Sequence, residues 1–171
     1  MSVTLKEETI LNQWSSLVDD AAGHATELVA DIKARLQAAE IPGGCNWTFD
    51  EVKSQGWFSK VRRDFLIIRL EEFSDYRQYV GVRPYGRYLD ACRFLTCEPG
   101  FFKKKIAEKL AGEGNFMALS GPKNILIEQD LTAWTTVVHH CVLDAVYALV
   151  KQLGQDPSGI RRDSKGMLEI W

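Results

Sequence analysis

YRQYVGVRPYGRYLDACRF, residues 76–94, decides the fold class. It sets four arginines and four tyrosines around a Pro84-Tyr85-Gly86 corner. Proline fixes φ for a tight turn and glycine admits positive φ, so the corner joins two extended runs, Tyr76–Arg83 and Arg87–Cys97. Alternate residues of a strand share a face. Arg77, Tyr79, Gly81 and Arg83 fall on one side of the first strand, with Tyr76, Gln78, Val80 and Val82 opposite. On the second, Leu89, Ala91, Arg93, Leu95 and Cys97 oppose Tyr88, Asp90, Cys92, Phe94 and Thr96. Each strand therefore has one more apolar face.

The hairpin extends upstream into a sheet. Asp64–Glu71 (DFLIIRLE) is rich in β-branched and large apolar residues, the composition of a buried strand. Cys45–Ser54 alternates, with Cys45, Trp47, Phe49 and Glu51 on one side, and Gln55–Lys60 is a turn around Gly56. Short connections join antiparallel strands, because parallel pairs need long crossovers. Residues 45–97 thus read as an antiparallel meander of about four strands.

Helical periodicity flanks the meander. Leu11, Trp14, Val18, Ala21, Ala25, Leu28, Ile32 and Leu36 follow at steps of three or four, predicting one long helix within residues 1–42. Thr4 and Glu7 have capping-box spacing at its start, and Pro42-Gly43-Gly44 stops it. Gly23, inside the pattern, marks either a close approach or a break into two helices. Downstream, Phe101–Ala111 reads as a short helix and Gly112–Asn124 as a loop, with Ile125–Ile127 a short strand or a lead-in. Asp130 is the expected N-cap of a long helix to Leu153, with a seam of Leu131, Trp134, Val138, Cys141, Ala145 and Leu149. Gly154 and Pro157 close it, and residues 155–171 form a tail. The expected fold is a single α+β domain over residues 1–171. An antiparallel β-meander is packed by a long N-terminal helix and a long C-terminal helix. Its segments are helical 1–42, β 45–97, helical 101–154 and the tail.

Composition agrees: 171 residues, 46% hydrophobic and 26% charged, suit one globular domain with a real core. The net charge of −2 hides a layout. Residues 1–52 balance at −6, residues 53–109 at +6 and the remainder at −2. A basic middle between acidic ends meets an anionic partner or is neutralised by the chain itself, and the small surplus favours the second. Met1–Ile10 is polar and acidic, unlike a secretory leader. The most apolar run, Val137–Val150, is broken by His139, His140 and Asp144 and is shorter than a span of about 20 residues. The expectation is a soluble cytoplasmic protein without a membrane span, with Cys45, Cys92, Cys97 and Cys141 reduced.

No motif commits the chain to one chemistry. Cys92 and Cys97, five apart, point to opposite faces of a strand, and His139-His140-Cys141 diverge around a helix, so no metal is expected. His140 with Asp144, and His24 with Asp20 and Glu27, read as helix-surface pairs. No nucleophile elbow, catalytic-cysteine signature or HExxH motif occurs, and the glycines of 112–121 lack both the Walker and the dinucleotide pattern. No cofactor is expected. The leading expectation is a non-enzymatic protein-interaction or assembly module, partnered by another protein or by itself as a homo-oligomer. Trp14, Leu168, Ile170 and Trp171 are its candidate interface residues, the last three on an apolar terminal strand that adds to its own sheet edge or another's. The alternative is a nucleic-acid-binding accessory protein using Arg77, Tyr79, Arg83, Tyr85 and Arg87 with Lys103, Lys104 and Lys105. An enzyme or ligand-binding protein with an unfamiliar site stands third.

Overall fold

The computed structural model describes residues 3–5, 9–42, 46–54, 62–97 and 122–166. Its strands are β1 (Val3–Leu5), β2 (Thr9–Val18), β3 (Asn46–Ser54), β4 (Arg62–Arg69), β5 (Tyr76–Tyr85), β6 (Tyr88–Cys97) and β7 (Lys165–Gly166). Its helices are α1 (Ala25–Ala38) and α2 (Pro122–Gln152). Among the described residues the strand order is β1-β3-β4-β5-β6-β2-β7. The five long strands are antiparallel neighbours, and the short β1 lies parallel to β3. The fold is α+β, with the meander in β3–β6 and one helix on either side of it in sequence.

The N-terminal segment departs from the helical expectation. Residues 9–18 form a strand, Thr4 lies on β1, and the helix is confined to Ala25–Ala38. The reason is a degenerate spacing. Trp14 and Val18 are four apart, which returns to the same face in both a helix and a strand. What separates the two is Asn12, Trp14 and Val18 buried against exposed Gln13, Ser15 and Leu17, a period of two. Asp20, at φ +47, turns the chain out of the strand. Gly23 sits in the 3-10 turn Ala22–His24 before α1, with no atom within 4 Å of where a Cβ would be, so it marks the break and not a close approach.

The seam expected further along is present: Leu28, Ile32 and Leu36 of α1 are buried. α2 begins at Pro122, where a missing N–H costs nothing, and so Asp130 lies inside the helix instead of capping it. Ile125–Ile127 belong to α2. At its end Gly154 takes φ +71, with Gly154 N–H donating to Lys151 O and Gln155 N–H to Val150 O, both at 3.0 Å. That is the Schellman closure the glycine predicts. The segment 101–111 lies outside the described residues.

One face of the sheet packs on both helices. Trp14 and Val18 of β2, Leu66 and Ile68 of β4, Val80 of β5, and Leu89, Ala91 and Leu95 of β6 join the buried residues of α1 and α2 in one core. Each large aliphatic residue buried there contributes about 1.5–3 kcal/mol over leaving it exposed. α2 is long and apolar enough by composition to cross a membrane, but most of that stretch is buried inside this core.

The opposite face has its own smaller cluster. Phe65, Ile67 and Tyr79 are buried there, with Cys92 and Phe94 against them. Phe65 meets Tyr79 and Phe94 edge-on, with ring centroids 6.1 and 6.5 Å apart. Gly81 makes this possible, since a Cβ there would lie 2.7 Å from Phe65 Cε1 and 2.9 Å from Cys92 Sγ. Gly81→Ala should therefore lower stability by about 1–3 kcal/mol through overpacking. Urea denaturation of this variant, and of Gly81→Ala combined with Phe65→Leu, should show the smaller side chain recovering part of the loss.

Candidate functional site

Among the described residues, polar or exposed groups gather at the hairpin tip, along the outer edge of β2 and in a buried polar cluster around Arg93. At the tip, Tyr85 pairs with Tyr88 across the two-residue loop Gly86-Arg87. Gly86 takes φ +63 while Arg87 does not take a positive φ, the type II′ pattern whose twist suits a hairpin. Pro84 and Tyr85 therefore belong to β5, and the corner lies two residues later than the Pro84-Tyr85-Gly86 reading.

Two arginines at the tip are answered by the chain itself. Arg83 places Nε and Nη2 each 2.8 Å from Asp90 Oδ2, and its guanidinium lies 5.1 Å from the Tyr85 ring centroid. Arg87 grips Asp19 with both ends of its fork, Nε to Oδ1 at 2.9 Å and Nη2 to Oδ2 at 3.1 Å, and sits 5.2 Å from the Tyr88 ring. The Tyr88 hydroxyl first, then Asp19 and Asp20, raise the pKa of Arg87. A basic residue of the middle segment is thus neutralised by an acidic residue of the first. Beside these pairs lies an open depression of about 370 Å³ lined by Ser15, Ser16, Leu17, Arg83, Tyr85 and Asp90. Leu17 and Tyr85 flank it and are each 58% exposed.

The edge of β2 follows from the hydrogen-bond alternation. Tyr85 and Tyr88, flanking a two-residue loop, exchange bonds, so β6 turns Leu89, Ala91, Arg93 and Leu95 towards β2. These bond Val18, Ser16, Trp14 and Asn12. Gln13, Ser15 and Leu17 direct their backbone groups outwards. Gln13 meets Lys165 of β7. Past Leu17, the Asp19 carbonyl accepts from Gln155 Nε2 at 2.7 Å. Among the described residues no strand lies along Ser15 and Leu17.

Beneath this edge, Arg93 is fully buried. Its Nη1 donates to Gln78 Oε1 at 2.9 Å and its Nη2 to Asn12 Oδ1. Asn12 Nδ2 in turn donates to Ser164 Oγ at 2.7 Å. Burial pulls the guanidinium pKa down to about 10, so it stays charged at neutral pH. Nearby, Trp14 Nε1 donates to Arg161 O and His139 Nε2 to Arg162 O, both at 2.7 Å, and the two rings meet edge-on at 5.8 Å. Because a carbonyl can only accept, His139 carries its proton on Nε2. Burial brings its pKa down to about 4.

The expected site residues are therefore dispersed. Arg83, Tyr85 and Arg87 meet at the tip, whereas Tyr79 is buried on the second face and Arg77 is half-buried farther along β5. Trp14 lies in the core, where its ring packs on His139 and its N–H is used internally. Lys103, Lys104, Lys105, Leu168, Ile170 and Trp171 lie outside the described residues. The Arg93 cluster was missed; its signal was a lone charge at an apolar position of β6, between Ala91 and Leu95. Among the described residues no three His, Cys, Asp or Glu side chains gather as a metal site. The thiols of Cys92, pushed up to about 11 by burial and then Asp90, and Cys141, raised by burial and then Asp144, are not activated as nucleophiles. His24 Nδ1 sits 2.7 Å from Glu27 Oε2 at the surface.

Two outcomes test this geometry. Asn12→Ala deprives a buried cation of an acceptor and should cost about 1.5–3 kcal/mol in chemical denaturation. For His139, the folded pKa lies below the ordinary 6.5, so the unfolded chain binds more protons between pH 6.5 and about 4. Its contribution is fully present above pH 6.5 and is lost as pH falls through that window. Urea midpoints across the window should fall less steeply in His139→Gln than in the parent.

No protein-family model, no curated protein and no solved structure matches the chain, and the geometry itself carries the functional reading.

Proposed function

We propose that the chain is a non-enzymatic protein-interaction module that docks through the β2–hairpin end of its sheet. One observation carries the reading. Leu17 and Tyr85 are each 58% exposed on either side of a depression, while most other large apolar residues described are buried. Exposed aromatic and aliphatic side chains rimmed by a paired Arg83–Asp90 fit the apolar centre and polar rim of a protein interface. We place the module in the reducing cytoplasm, in keeping with Cys92, Cys97 and Cys141 as free thiols.

The nucleic-acid alternative is weakened on particulars. Arg83 and Arg87 are occupied by carboxylates, and the buried Tyr79 offers no ring for a base to stack on.

Light scattering at micromolar concentration should give a mass above the 19.4 kDa of one chain, or cross-linking should capture a defined partner. Leu17→Asp with Tyr85→Asp should abolish either result without changing the urea midpoint. A strict monomer without a partner sinks the proposal. A low-salt mobility shift with nucleic acid, lost in Arg83→Ala with Arg87→Ala, would replace it by the alternative.

A further inference from the structure

The outer edge of β2 resembles an interface that is waiting for a strand. Ten residues, Thr9–Val18, contain no charge and no proline, the features by which edge strands usually block pairing. Ser15 and Leu17 point their backbone groups outwards, Ser15 is exposed, and Leu17 holds its side chain largely in water. Among the described residues this stretch is open and has two stops. β7 occupies the edge at Gln13, and the Gln155 amide occupies the carbonyl of Asp19. The midpoint between them is Ser16.

The ends of the stretch carry opposite charge. Exposed Arg161, Arg162 and Lys165 flank the β7 end, with Arg161 held beside Trp14 by the indole hydrogen bond. Asp19 and Asp20 flank the other end, and the Asp20 side chain is 71% exposed. An antiparallel neighbour of the same sequence reverses this order and brings acid to base.

We propose that two copies of the chain pair through the open edges of β2, antiparallel about a two-fold axis at Ser16. This rests on the interaction-module reading and names its partner as a second copy. Ser15 of each copy faces Leu17 of the other in two hydrogen-bonded pairs, each exchanging both backbone bonds. The two Leu17 side chains become diagonal neighbours on the same face, about 7–8 Å apart and within reach of each other. Asp20 of one copy approaches Lys165 and Arg161 of the other. The interface is isologous, and with so short a strand it falls below the ~1,200 Å² of stable complexes, so the dimer is concentration-dependent.

The register supplies the test. Ser16 meets its own copy in a non-hydrogen-bonded pair with Cα atoms about 4.5 Å apart, inside the ~4.4–6.8 Å a disulfide spans. Ser16→Cys should give a reducible dimer under mild oxidation, against a background set by the parent chain and by Gln13→Cys, which is blocked by β7. Lys165→Glu should weaken dimerisation by roughly three- to tenfold in sedimentation, as two symmetry-related exposed pairs become repulsive. Asp20→Asn in the same background should recover part of that loss. A dimer that gives no Ser16→Cys cross-link and survives Leu17→Asp, yet is lost in Leu17→Asp with Tyr85→Asp, overturns this edge while leaving the interaction reading intact. A monomer at every concentration that still loses a cross-linked partner through Leu17→Asp and Tyr85→Asp overturns the second copy as occupant and keeps the surface.

Discussion

A buried guanidinium with no carboxylate among its described partners is the constraint on which the rest of this structure depends. Arg93 is solvated by two amide oxygens, one from Gln78 on β5 and one from Asn12 on β2. Asn12 passes the connection to Ser164, just before β7. One side chain of β6 therefore ties both neighbouring strands and, through Asn12, the chain beyond α2. Taking such a charge out of water costs several kcal/mol. The amides of β5 and β2 meet Nη1 and Nη2, while Nε stays buried without a partner among the described residues. A register that separated the three strands would leave the charge still less compensated. The sheet order follows, with the first long strand closing beside the last strand of the meander.

The same register leaves β2 at the outside of the sheet. Among the described residues β7 pairs with it at two positions, and the residues preceding β7 leave the edge to cover Trp14 and His139, where Arg161 and Arg162 offer their carbonyls. Protecting the core beneath β2 and pairing along its edge draw on the same stretch of chain. The core takes it, and among the described residues the edge stays open at Ser15 and Leu17. The hairpin tip stands next to that edge, so the exposed Leu17 and Tyr85 form a single surface from two distant parts of the sequence.

The charge layout resolves in a similar way. The acidic first segment and basic middle meet at Asp19 and Arg87, and within the middle at Arg83 and Asp90. Arg93 faces inwards and is met by amides. Arg83, Arg87 and Arg93 thus meet intramolecular partners that alternation alone does not reveal. Tyr79 illustrates the complementary point. It shares a strand face with Arg77 and Arg83, yet Phe65 lies over Gly81 and helps bury it, so a face that reads as polar holds a second small core.

The sequence by itself determined the α+β class, the hairpin, the meander of β3–β6, the buried seams of α1 and α2, and the glycine closure after α2. These follow from local rules: period two, period 3.6, and the φ that glycine or proline permits. Only the tertiary structure decided that residues 9–18 form a strand. Trp14 and Val18 satisfy both periods, and it is the strand that sets Asn12 beside a buried arginine 81 residues away. It also decided which groups Arg83, Arg87 and Arg93 meet, because a charge is satisfied by whatever carboxylate or amide the fold brings within reach, and no spacing along the chain encodes that neighbour.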